Sequence, residues 1–137
     1  MITVAPPSPA RTTVPASTPL EIATELAVSC AATAAERDLR GGTPKAERDA
    51  LRRSGLLRLM IPEAYGGLGA NWRETLDIVR VFAAVDSSIA HVFAFQHLML
   101  ATVRLFSRPS QWEPWFEKTA QGQWFWGNAL NPLDERT

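Results

Sequence analysis

His91 and Phe95 stand four residues apart in SSIAHVFAFQHLMLATVRLF, residues 87–106. At about 100° per residue, that spacing places an imidazole and an aromatic ring one turn apart on one helix face. Imidazole titrates near neutrality and can give or take a proton, and an aromatic neighbour supplies an apolar wall, so the pair suits a ligand cavity. A helix apolar nearly all round is expected to be surrounded by protein, which makes His91 poorly hydrated. The same pattern suits a hydrogen-bonded core histidine, and both readings stay open on spacing alone. His97 points about 240° away from His91, so the two cannot chelate one ion, and His97 reads as structural. No metal site is expected.

Other reactive groups are few. Cys30 is the single cysteine, which excludes an intramolecular disulfide and a cysteine-rich metal centre; it reads as core filler in a reducing compartment, the cytoplasm. The chain lacks a phosphate-cradling glycine loop, a nucleophile elbow and a carboxylate pair of recognisable spacing. Fourteen Lys and Arg balance fourteen Asp and Glu, removing the electrostatic basis for nucleic-acid or anionic-membrane binding and leaving a small molecule or another protein as partner. Neither a signal peptide nor a membrane span is expected, because the N-terminus lacks a basic start with an apolar core and the 87–106 run is interrupted by His91, Gln96, His97 and Arg104.

The elements that must position these groups are helical. Residues 1–17, rich in Pro, Ala, Ser and Thr, read as a disordered tail. T-P-L-E at 18–21 starts a helix that runs to about Arg40, with Leu20, Ala23, Ala27, Cys30, Ala31 and Ala34 as its apolar stripe. Thr43-Pro44 opens a shorter helix that Gly55 ends, and Pro62 with Gly66-Gly67 makes a structured loop. Asn71 and Glu74 frame the next helix, with Leu76, Val79, Phe82 and Ala83 buried. The central helix buries Ile89, Val92, Phe93, Gln96, Met99, Leu100, Val103 and Phe106, ordinary core apart from the glutamine. Ser107–Gly122 is a last helix anchored by Trp112, Trp115 and Phe116, with Gly122 as its stop. Trp124–Trp126 has strand character but no partner strand. The fold class is all-α: a helical domain over 18–122, with 123–137 as the start of a β-domain.

The order GLLRLMIPEAYGGLGANW, a helix, DSSIAHVFAFQHLMLATV, another helix and GQWFWGNALNP resembles the N-terminal helical domain of the acyl-CoA dehydrogenase superfamily over roughly 18–137, with IPEAYGGLG the most specific part. Within it, the chain is most similar to the flavin-dependent monooxygenase branch, that of dibenzothiophene monooxygenase and the sulfur-acquisition oxidoreductases. In that branch a histidine followed after four residues by a tyrosine lines the flavin–substrate cavity; H-V-F-A-F supplies His91 and has Phe95 for the tyrosine. Gly127-Asn128-Ala129 matches the branch's Gly-Asn-Ala, whereas dehydrogenases carry a Thr-Glu-Pro type sequence near the place of Leu130-Asn131-Pro132.

The resemblance implies an FMN-dependent monooxygenase acting on small organosulfur or similar apolar substrates through a flavin hydroperoxide. Reduced flavin would come from a separate flavin reductase, and the full-length form would be a homotetramer. His91 would be catalytic, Asn128 would contact the cofactor, and Phe95 would shape the substrate wall; a turn residue after a strand is the competing reading of Asn128. The family's β-barrel and C-terminal bundle do not fit into 137 residues, so the chain reads as a fragment without tight flavin affinity or turnover of its own. The competing functions are an acyl-CoA dehydrogenase fragment using FAD, which a downstream catalytic carboxylate would reveal, and a non-enzymatic helical interaction module.

Overall fold

The computed structural model describes residues 17–128. Residues 1–16 of the tail expected at 1–17, Ala129 and the remainder of the expected β-domain start lie outside the described residues. Thr18 opens the first helix, α1 (Pro19–Ala31), with a capping box. Its hydroxyl accepts from the Glu21 N–H at 3.2 Å, and the Glu21 carboxylate accepts from the Thr18 N–H at 2.7 Å, pairing donors that a helix start otherwise leaves free. Five more helices follow: α2 (Ala34–Arg40), α3 (Lys45–Arg53), α4 (Trp72–Ala83), α5 (Ser87–Phe106) and α6 (Pro109–Gly122). Two 3₁₀ turns, Leu56–Arg58 and Glu63–Tyr65, lie between α3 and α4, and the described residues contain no strand. The domain is all-α, as its patterning predicts.

The single helix expected over 18–40 is broken at Ala32-Thr33. Alanine-rich propensity favours continuation, but a tertiary ion pair overrides it. Arg37 turns inward to Asp86 at 2.6 Å and Glu47 at 3.0 Å. It also donates to the Cys30 carbonyl at 3.2 Å and the Thr33 hydroxyl at 3.0 Å, so the break's backbone carbonyl and side chain both find partners. Of the predicted α1 stripe, Ala23, Ala27 and Cys30 are buried, while Leu20 is exposed.

Helix α4 packs between α1 and α5. Its start is the expected Asn71–Glu74 box, with Glu74 N–H donating to Asn71 Oδ1 at 3.1 Å. Its buried residues are Thr75, Ile78 and Phe82; of the predicted Leu76, Val79, Phe82 and Ala83, Phe82 is buried, Val79 half-buried and the other two exposed. Thr75 fits inside because its hydroxyl donates to the Asn71 carbonyl at 2.9 Å, which satisfies the one polar atom that makes it look like a surface residue. Leu76 is left exposed.

Two cores result. The larger joins α1, α3, the first 3₁₀ turn, α4 and the first half of α5 through Ala23, Leu51, Leu57, Ile78, Phe82 and Phe93. The smaller gathers Ile61, Leu100, Trp112, Phe116 and Ala120, with Tyr65 and Trp126 against it. The loop between them is tight at Gly67, where a Cβ would stand 1.8 Å from the Ile61 carbonyl oxygen. Tyr65 ties the loop to α6 by donating to Glu113 at 2.6 Å and meeting Trp112 edge-on. On α6 itself Trp112 and Phe116 are buried, whereas Trp115, expected as an anchor, is half exposed. The helix stop is Gln123, left-handed at φ 48, rather than Gly122; Gly122 gives room to the Trp124 indole, whose Nε1 a Cβ there would meet at 2.3 Å.

Candidate functional site

Asp86 sets where α5 begins. Its carboxylate accepts from the Ile89 N–H at 3.0 Å and pairs with Arg37 at 2.6 Å, both side chains largely shielded at 6% and 13% exposure. Burial alone would raise the Asp86 pKa, but the Ile89 N–H and the Arg37 guanidinium outweigh it and hold the carboxyl below its usual value. The helix start is therefore pinned to α2 and, through Glu47, to α3.

Five residues past this cap, His91 lies against Phe95 with ring centroids 4.4 Å apart and planes 23° apart. The expected pairing of the two residues on one face is present. The expected poor hydration of His91 is not: His91 is exposed and Phe95 half-buried. Only 33% of the most apolar stretch of α5 is buried in this domain, and Leu98 and Leu105, on the same stripe as His91, are exposed at 42% and 75%. The inference from all-round apolarity assumes a cover supplied by the same fold, and the described residues do not supply it.

His97 takes the opposite position. It is fully buried, edge-on to Phe93 at 4.6 Å, and neither ring nitrogen has a well-formed hydrogen bond. Burial pushes its pKa down to about 4, with the Leu56 backbone opposing only weakly, so the ring stays neutral inside the core, in line with its structural reading.

Gln96 is the residue whose role the sequence leaves unread. It is fully buried, and its amide donates to the Leu57 carbonyl at 3.0 Å and the Trp124 carbonyl at 3.1 Å, while its oxygen accepts the Trp126 N–H at 2.7 Å. A carbonyl and the N–H two residues on are the pair a parallel neighbouring strand would take. Trp124–Asn128 forms no regular element, so a side chain stands in for the missing strand. Asn128 is exposed, two residues beyond the Trp126 bond. The structure thus joins His91 with Phe95 and carries Asn128 separately, on the strap that Gln96 holds. The only warning of this in the sequence is one amide in an otherwise apolar stripe.

Two of the larger grooves open elsewhere. One of about 450 Å³ lies between Met60, Trp72, Ala101 and Phe116, and one of about 390 Å³ beside Arg37, Gly41 and Ser88. Among the described residues, neither of these grooves is lined by His91 or Phe95.

Residues 21–123 match the model of the acyl-CoA dehydrogenase N-terminal domain. The probable FMNH2-dependent monooxygenase SfnC of Pseudomonas putida is 72% identical over 127 residues, covering 90% of this chain and 32% of that protein. Among solved structures, methanesulfinate monooxygenase MsuC from Pseudomonas fluorescens superposes with a TM-score of 0.84 at 73% identity, over 87% of this chain and 31% of that one. Dibenzothiophene monooxygenase (TdsC) from Paenibacillus sp. A11-2 gives 0.80 at 44% identity, over 85% and 30%, and is also known in a complex with FMN and indole. The chain spans about a third of the length of these relatives. A family match over 21–123, carried by the helical architecture described above, means that this chain belongs to the acyl-CoA dehydrogenase N-terminal domain family.

Proposed function

We propose that this chain is the N-terminal, substrate-side domain of an FMN-dependent monooxygenase that oxygenates small organosulfur or similar apolar substrates. The observation that carries this reading is the His91–Phe95 stack on an uncovered face of α5, in a chain 73% identical to a methanesulfinate monooxygenase. A flat imidazole–phenyl wall fits one side of a cavity for a planar ligand, and the remaining sides belong to segments the relatives carry beyond this domain.

Bound reduced FMN, delivered by a separate flavin reductase, supplies the reaction with dioxygen. The chain's own residues shape the environment in which that chemistry proceeds. Phe95 excludes water and gives an apolar substrate its contact area. A ring nitrogen of His91 donates a hydrogen bond or a proton to the oxygen that is left behind as the other atom transfers. The Asn128 amide orients the cofactor by hydrogen bonding. Phe95 brings no hydroxyl to this wall, so His91 is its only proton donor of the pair. The complete enzyme is a soluble cytoplasmic homotetramer in which the exposed face of α5 is covered.

The test is isotopic. The complete enzyme with FMN, a flavin reductase, reduced nicotinamide and an alkanesulfinate or thiophene-type substrate, run under ¹⁸O₂, is expected to give product carrying one heavy oxygen per turnover. Oxidation of an acyl thioester without oxygen incorporation would establish the dehydrogenase reading instead.

A further inference from the structure

A buried glutamine has two N–H donors and an acceptor oxygen to satisfy. Gln96 commits both donors to backbone carbonyls, of Leu57 and Trp124, and its oxygen to the Trp126 N–H. An apolar residue of similar volume would fill the core equally well but would strand three backbone groups, so the amide is there for its bonds. The other holds on the strap act differently. Trp126 Nε1 donates to the Thr119 hydroxyl at 2.8 Å, Arg52 sits over the Phe125 ring at 5.0 Å, and the Trp124 N–H reaches the Thr119 carbonyl at 3.3 Å. Among the described residues, Gln96 alone holds strap backbone beyond the Trp124 N–H.

The placement matters because Gln96 lies on the helix that carries His91 and Phe95. His91 is five residues up α5, an axial distance of roughly 7.5 Å. Asn128 is two residues beyond Trp126, at most about 7 Å of chain. We infer that Gln96 is a positioning residue for the oxygenation site, fixing the register of the strap and hence the place of Asn128 relative to His91. This rests on the functional reading above. Displacing a reacting group by about 1 Å costs up to a hundredfold in rate, so a slip in this register is felt in turnover before it is felt in substrate binding.

The experiment compares Gln96→Met with Thr119→Val in the complete enzyme. Thr119→Val removes the grip on the Trp126 ring but leaves the backbone clamp. For Gln96→Met the expected result is lost hydrogen-exchange protection at 124–126, kcat lower by about tenfold or more at a KM within about twofold, and more peroxide released per reduced flavin. Thr119→Val is expected to stay within about twofold of wild type in kcat. Equal losses in both variants, tracking their melting temperatures, overturn the positioning role, as does unchanged turnover in Gln96→Met. If Gln96→Met does not fold, Gln96→Glu keeps the acceptor for Trp126 but replaces the two N–H donors to Leu57 and Trp124 by at most the one O–H of a protonated carboxyl; the same kcat-specific loss is expected, and its absence is fatal. A wild-type enzyme without oxygenase activity overturns the functional reading and this role with it, while exchange at 124–126 still reports whether the clamp itself exists.

Discussion

Arg37 and Asp86, 49 residues apart in sequence, meet at 2.6 Å where α2 touches the start of α5. Asp86 does two jobs there, capping the Ile89 N–H and receiving the guanidinium, and the pairing explains why an alanine-rich helix breaks at Thr33.

The two jobs separate by mutation. Asp86→Asn keeps an N-cap acceptor and loses the charge, whereas Asp86→Ala loses both and leaves the shielded Arg37 with Glu47 as its remaining ion-pair partner. A shielded pair that loses one partner costs about 3 kcal/mol, and a lost cap about 1 kcal/mol. Denaturant unfolding is expected to place Asp86→Ala lowest, Asp86→Asn between, and Arg37→Met near Asp86→Asn. The Asp86 contribution is present above its unfolded pKa near 3.8 and disappears as pH falls through its lower folded value.

His97 predicts a second, milder acid sensitivity. Its pKa falls from 6.5 unfolded to about 4 folded, so between those values the unfolded chain binds the proton and the folded one does not. Stability is therefore lost as pH drops from about 6.5 toward 4, by roughly 3 kcal/mol in total. Measured by urea unfolding across that range, His97→Leu is expected to flatten the slope; an unchanged slope would place the titration elsewhere.

Gly67 tolerates no side chain. Its missing Cβ would lie 1.8 Å from the Ile61 carbonyl oxygen, a backbone atom that cannot swing away. Gly67→Ala is expected to lower stability by about 2 kcal/mol or more through forced backbone movement. Gly42→Ala has open space around it and pays only for its positive φ, about 1 kcal/mol; calorimetric melts of the two variants give the comparison.

Much of this architecture is legible from the residues. Capping boxes at Thr18 and Asn71 mark their helix starts correctly, and IPEAYGGLG points to the family that residues 21–123 match. What escapes sequence reading is set by distant partners. Thr75 looks external until its hydroxyl is seen bonded within its own helix. Gln96 looks anomalous until Leu57 and Trp126, 39 and 30 residues away, are seen around it. His91 looks buried because α5 is apolar on every side, and periodicity cannot say whether the cover comes from this domain or from another. Its pairing with Phe95 needs only the i, i+4 spacing of one helix and was readable for that reason.

The most direct measurement is substrate oxygenation by His91→Ala in the complete enzyme, scored as ¹⁸O incorporation alongside thermal stability. His91 is exposed and stacks only on Phe95 among the aromatic contacts of the described residues, so its removal is expected to change stability by no more than about 0.5 kcal/mol. Oxygenation is expected to be abolished while the fold and substrate binding persist. Wild-type turnover in a normally folded His91→Ala enzyme would contradict the role of this imidazole in the chemistry.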